Sequence, residues 1–438
     1  YIMRINIIGC GPTGMSVAWS LSKLQYLDIH IFDKKDGPGG SWWEPPSGER
    51  DVHASRILFP HAYVNVQSIL HEMGLYWDDY FHTEKNDKIK ILYKLSWGDY
   101  LEVSLLAVKV LLKPNEYKSK TLRESLNTTK LSHTGKKLFS KLPLILDGVD
   151  WNVMTAWEFV EGFNFVGLGA IKPHTQSKSG HYLNHDMMNK LKERGVKFHF
   201  NKDVNDIQYN SDGTYEVSIG NEMKISGGLL VICVDPGPAM RLVKDNWGPG
   251  TRKILADSIY GSISLILEYD SPIDLGGHSI DKFMETSWGV IPSLLDPKTL
   301  SCVITQPLDV SPDKLEQEII KQLKVPPPKR CRVCWGSRWV DDHWEYDQTA
   351  MSYPIGGTLS YFGKSPSVAM CGMMSERRCP FASMEAAIEV GRIFTHRYFG
   401  CPAPTYKYTI SSKVLIVLLI IIYIRYVRVF IKNNLRTG

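Results

Sequence analysis

The period of apolar and polar positions changes along the chain, and each change marks an element. Ile5-Asn6-Ile7-Ile8 is a β-branched run of the kind a buried strand requires. After the glycine-rich residues 9–14, Met15, Ala18, Leu21 and Leu24 recur at helical intervals, and Asp28-Ile29-His30-Ile31-Phe32 predicts a second strand. Residues 97–112, 136–146 and 154–165 read as helices, while 118–141 reads as a polar, lysine-rich surface interval. Leu183, Met187, Met188 and Leu191 mark a helix that Gly195 is placed to end. Val196, Phe198 and Phe200 alternate as a strand, and residues 209–219 predict a hairpin turning at Asn210-Ser211-Asp212-Gly213. Residues 229–234 form a buried apolar run ending in Asp235-Pro236-Gly237-Pro238. Strands are predicted over 259–269, at Val290-Ile291 and over 302–305, and an amphipathic helix over 315–323. Val325-Pro326-Pro327-Pro328-Lys329 is a stiff connector.

The first forty residues carry the clearest chemistry. Gly9-Cys10-Gly11-Pro12-Thr13-Gly14 has the G-x-G-x-x-G spacing between a strand and a helix, and the second strand ends on Asp33. In such a unit Gly9 permits the tight turn, Gly11 admits a pyrophosphate close to the backbone, and Gly14 lets helix and strand pack closely. The helix N-terminus presents N–H groups and a positive dipole end to phosphate, and Asp33 is placed to accept hydrogen bonds from a ribose. Strand, glycines, helix, strand and acid in this order predict a dinucleotide site.

Gly39-Gly40 follows Asp33 by six and seven positions. With that spacing the chain resembles the flavoprotein superfamily of amine oxidases, phytoene desaturases and protoporphyrinogen oxidases, in which a glycine pair near the FAD phosphates follows the acid. That family often has Arg after the pair; here Ser41-Trp42-Trp43 follows. Residues 55–61 and 69–75 resemble the segment that enters the desaturase substrate domain. The block from Asn201 to Val234 resembles the second FAD segment, with Val204 where the backbone meets the adenine end; the alternative is that Val204 is core. Val368-Ala369-Met370-Cys371-Gly372 resembles the late strand and its glycine, and residues 383–392 resemble the final helix. The resemblance implies that the helix N-terminus near Met384 faces the flavin N1–O2 locus. It also implies an acid on the ribityl chain shortly after Gly372, for which Glu376 is nearest.

The implied fold is α/β. A discontinuous Rossmann-like FAD-binding domain comprises residues 1–75, 174–250 and 350–410. An α+β substrate domain comprises 76–173, largely helical, and 251–349, and residues 411–438 form a C-terminal membrane helix with a basic tail. Residues 351–366 contain no cysteine where monoamine oxidases attach flavin covalently, so the implied FAD is non-covalent. The resemblance implies an oxidoreductase that moves a hydride from a substrate C–H bond to flavin. The alternatives are a lipid or isoprenoid desaturase or isomerase, and a membrane-anchored structural protein that kept the fold without the chemistry.

Charge and cysteines refine this picture. There are 51 basic and 46 acidic residues, and the excess lies in Lys413, Arg425, Arg428, Lys432 and Arg436. The remainder is electrically balanced, which removes the electrostatic case for binding nucleic acid. The eight cysteines are scattered, and Cys331-Arg332-Val333-Cys334 lacks a second ligand pair nearby, so it reads as an incidental pair before a metal or redox site. Residues 414–424 are apolar without a break, and the character continues past Arg425 and Arg428 to Ile431. Eighteen residues of helix reach about 27 Å, close to the ~30 Å of a hydrocarbon core. A single-pass membrane anchor is expected, with a buried core segment as the alternative. The body is expected on the cytosolic side, since no leader precedes the first strand. Within the fold, amine oxidases place a Lys near flavin N5 on the strand that Gly261-Ser262-Ile263-Ser264-Leu265 resembles, and an aromatic cage before the final helix. A small or lipophilic substrate is expected as partner; this chain has no Lys in that strand and only Phe381 in the corresponding Cys379-Pro380-Phe381-Ala382-Ser383, which favours a larger apolar substrate reached from the membrane side over simple amines.

Overall fold

A computed structural model describes residues 2–47, 51–52, 58–83, 95–166, 174–220, 223–243, 246–248, 251, 256–277, 279–304, 309–355, 357–406, 409 and 411. Its centre is a parallel sheet. Met3–Ile8 pairs with Leu27–Phe32 on one side and Leu229–Ile232 on the other; Lys197–His199 and Val368–Met370 add the two outer strands. Leu229–Ile232 and Val368–Met370 read as continuous apolar runs because both faces are covered. Ile5, Ile7, Ile31 and Val231 point into a core shared with the helices Pro12–Leu21, Val64–Glu72, Gly180–Glu193 and Met384–Phe399. Ile8, Phe32, Leu230 and Ile232 point the other way, into a core shared with the meander Val204–Tyr209, Tyr215–Ile219 and Met223–Ser226 and with the helix Pro236–Val243.

The second unit is an antiparallel sheet in the order Val290–Asp296, Thr299–Ile304, Ile263–Glu268, Arg330–Val333. Ile291 and Val303 pack on one side against Leu138, Leu144 and Phe159 of the helices His133–Leu146 and Ala156–Val166. Leu265, Leu300 and Cys302 pack on the other against Leu315, Ile319 and Leu323 of the helix Pro312–Leu323, whose apolar positions recur at helical spacing. The short pair Ile259–Tyr260 and Ala350–Met351 leads from one unit to the other.

The structure changes several expectations. The first helix ends at Leu21, since the Ser22 N–H closes on the Ala18 carbonyl; Leu24 reaches the core from the following turn. The strand expected over 259–269 is divided at Gly261-Ser262, where a Cβ on Gly261 would stand 2.2 Å from the Tyr346 ring. Residues 118–141 are not simply a surface interval. They contain the helix Leu122–Asn127, started by a reciprocal capping box between Thr121 and Glu124, and Leu122 and Leu126 are fully buried beneath the lysines. Ser337–Val340 and His343–Tyr346 pair as a hairpin, and Trp339, Trp344 and Tyr346 join the core beside the helix Pro312–Leu323. Neither Cys331 nor Cys334 is in a disulfide, and Cys334 is buried. The apolar residues 414–431 lie outside the described residues. Among those described, no helix is long and apolar enough to cross a membrane.

Candidate functional site

The glycine turn is built by close approaches. The Gly9 N–H donates to the Phe32 carbonyl at 2.7 Å, tying the turn to the neighbouring strand. A Cβ on Gly14 would lie 2.0 Å from the Gly9 carbonyl oxygen, so only glycine lets the helix start this near the strand. Gly11 caps the helix and Pro12 occupies its first turn, where the missing N–H costs nothing. The Gly39 N–H donates to the Cys10 carbonyl at 2.8 Å, and Gly40, in the left-handed region at φ 56°, lies so near Gly11 that a Cβ there would meet its Cα at 2.9 Å. The second glycine pair therefore docks on the first turn. Asp33 is buried and its carboxylate accepts from the Cys10 N–H at 2.6 Å and the Lys35 N–H at 2.8 Å. Burial pushes its carboxyl above the ordinary range, and the two backbone donors oppose the shift.

A cavity of about 520 Å³ runs from this turn across the carboxyl ends of the central strands. That is the crevice where open parallel sheets place their ligands. One end is polar and of mixed charge, with Asp33, Asp203 and Asp235 beside Lys34, Lys35, Lys202 and Arg241 on its wall. Lys35 lies 3.7 Å from the Trp335 ring centroid and 4.7 Å from that of Trp43, and burial lowers its pKa. In the middle, Met384 and Ala387 line the wall at the start of the closing helix, which Ser383 caps by accepting from the Ala386 N–H at 3.1 Å. The other end is apolar, walled by Leu138, Leu142, Ile145, Val166, Ile291 and Val303.

Asp147 and Tyr260 interrupt that apolar wall. The Tyr260 hydroxyl donates to Asp147 Oδ1 at 2.7 Å, and the Ala382 N–H donates to the same oxygen at 3.0 Å. Glu158 lies behind Asp147 and accepts from the Tyr353 N–H at 3.0 Å. Burial pushes both carboxyls up, and the charge of Asp147 raises Glu158 further; the Arg377 guanidinium opposes both shifts.

Of the residues singled out in the sequence, Gly9, Gly11, Asp33, Gly40, Val204, Gly372 and Met384 line this single cavity. Gly14 and Gly39 shape it from behind. Glu376 does not join them. It lies outside the lining, more than half exposed, and its carboxylate pairs with Arg397 at 2.7 Å. Lys34 and Lys35 follow Asp33 directly, so their place beside the acid was there to be read. Asp147, Glu158 and Tyr260 carried no such signal, because three separate elements bring them together.

Residues 7–73 match the family described as NAD(P)-binding Rossmann-like domain. No curated protein matches the sequence. Solved structures agree over nearly the whole chain. An oxidoreductase from Methanosarcina mazei superposes with a TM-score of 0.63 at 14% identity, covering 90% of this chain and 100% of that one. Putrescine oxidase bound to putrescine gives 0.62 at 12%, covering 91% and 99%. Cyclohexylamine oxidase from Brevibacterium oxydans gives 0.58 at 16%, covering 89% and 97%. The architecture is thus a Rossmann-like parallel sheet joined to a second, antiparallel sheet. More narrowly, the chain has the fold of the flavin amine oxidases.

Proposed function

We propose that this chain is an FAD-dependent oxidoreductase that removes a hydride from a C–H bond of a large apolar substrate, with FAD held non-covalently. The observation that carries the reading is the continuity of one cavity from the glycine turn to an apolar chamber. The residues fit the cofactor. The open face of Gly11, where a Cβ would meet nothing nearer than Gly40 Cα at 3.5 Å, leaves room for a pyrophosphate at the helix N-terminus. Asp33 would hold the ribose, Lys34 and Lys35 would offset phosphate charge, and Val204 would meet the adenine end. The N-terminus of the closing helix, at Met384, would favour negative charge at the flavin pyrimidine. Bound flavin supplies two-electron acceptance from carbon. The protein's own part is to orient the substrate and keep water from the reacting bond, which an apolar wall does.

The apolar chamber favours a desaturase or isomerase acting on a lipid or isoprenoid over oxidation of small amines. The apolar residues 414–431 support a C-terminal membrane anchor, which would bring such a substrate to the site from the bilayer with the body on the cytosolic side. Cofactor content tests the reading: purified protein should be yellow and should release FAD on acid precipitation. Colourless protein that FAD cannot reconstitute would overturn it.

A further inference from the structure

The helix Trp97–Leu112 is fixed on one side and bare on the other. Asp99 is buried, and its carboxylate accepts from the Ser96 N–H at 3.0 Å and the Ser132 N–H at 2.7 Å, which ties this helix to the start of His133–Leu146. Leu106 and Val110 share a buried core with Phe159 and Val160 of the helix Ala156–Val166. Trp97, Leu101, Leu105, Val108 and Leu112 face the opposite way, from 47% exposed at Leu105 to 90% at Trp97. At 3.6 residues per turn these five fall within about 80° of arc, an unbroken apolar stripe along a helix about 24 Å long. The exposed positions of the helix include Lys109 at the edge of the stripe and no acid. A stripe of this kind on a folded body marks a surface that something apolar covers.

The place where the chain leaves the body points to what that is. The Ser411 N–H donates to Asn164 Oδ1 and Asn164 Nδ2 donates to Ser411 Oγ, both at 3.0 Å, so the tail starts from the helix Ala156–Val166. The apolar stretch begins three residues later at Val414, and three residues reach about 10 Å at full extension. An anchor beginning there holds Asn164 close against the bilayer. Packed helices lie about 8–10 Å apart, so the helix Trp97–Leu112 is brought to the same surface. A segment that spans the bilayer cannot also lie along the stripe.

We propose that the helix Trp97–Leu112 is a second membrane contact, lying in the plane of the bilayer interface with its stripe among the acyl chains. Trp97 sits at the boundary that suits an indole, and Lys109 points to anionic headgroups. This rests on the membrane attachment proposed above and names the face that the body turns to the lipid. Alone the stripe gives only marginal, reversible binding; beside an anchor it fixes how the body lies.

Tryptophan emission of the full chain, reconstituted in phosphatidylcholine–phosphatidylserine vesicles with brominated acyl chains, tests the inference. Wild-type emission should be quenched, and Trp97→Phe should lose a blue-shifted part of that quenching. Equal quenching of the two would overturn the proposal. So would a Trp97 emission that is blue-shifted but unquenched, as when the tail or a second copy covers the stripe. The double variant Leu101→Glu, Leu105→Glu changes exposed positions only. It should keep the wild-type thermal midpoint, still sediment with vesicles through its tail, and lose the Trp97 quenching; retained quenching would overturn the contact. The outcomes separate the two readings. Wild type that sediments with Trp97 unquenched fails this inference alone, whereas a quenched wild type whose double variant leaves the vesicles fails the tail anchor.

Discussion

Gly11 and Gly14 stand three residues apart in one motif and are required for different reasons. Gly14 faces the Gly9 carbonyl with no room for a methyl, so Gly14→Ala should destabilise the fold by about 1–3 kcal/mol in chemical denaturation. Gly11 has an ordinary extended backbone and open space in front of it, so Gly11→Ala should change stability by less than ~0.5 kcal/mol. It should nevertheless weaken cofactor binding, because the added methyl enters the cavity; equal loss of stability in the two variants would contradict this division. Glu385 offers a second residue-level test. It is fully buried and accepts from the Asn65 and Val66 N–H groups, capping the helix Val64–Glu72 from outside. Burial raises its pKa to about 7 from 4.5. Between those values the folded protein keeps a proton the unfolded chain has lost, so stability falls as pH rises through that window and levels off above it. The loss from this group is about 3 kcal/mol. Asp235, also raised to about 7, titrates in the same window, so the readout is the difference between wild type and Glu385→Gln, whose profile should be flatter by that amount.

Among the elements, the closing helix joins cofactor and core. Ser16 Oγ donates to the Ile388 carbonyl at 3.0 Å, and Gly391 brings the helix so near Ser16 that a Cβ would meet its Oγ at 2.9 Å. Removing the cap with Ser383→Ala should cost about 1 kcal/mol. It should also lower cofactor affinity, since the helix start lines the cavity; a cap loss with unchanged affinity would place the cofactor elsewhere. Elements with a clear period were legible in the sequence: the strand–turn–helix–strand unit, the helix Gly180–Glu193 ending at Gly195 with φ 82°, and the hairpin turning at Gly213. The helix Leu122–Asn127 was hidden because its two buried leucines sit among lysines and its signal is a capping box, not a period. The break at Gly261 was hidden because the apolar run continues through it, and what divides the strand is a ring from distant Tyr346.

For the molecule as a whole, the cofactor end of the site was written in local spacing, while the substrate end depends on which elements meet. Asp147 ends one helix, Glu158 lies in another and Tyr260 in a short strand, so their meeting follows from the packing of the second unit and from no motif. The membrane anchor is a separate whole-chain proposal: deletion from residue 412 onward should release the protein from membranes and leave a folded, flavin-binding body. Aggregation of the truncated protein or loss of FAD would mean that the tail packs within the fold. The central claim is tested most directly by the visible absorbance spectrum during anaerobic titration. The account predicts a flavin spectrum at about one FAD per chain. It predicts bleaching by lipid extracts, with little or none by a small monoamine or diamine. Rapid bleaching by a small monoamine and none by lipid extracts would contradict it.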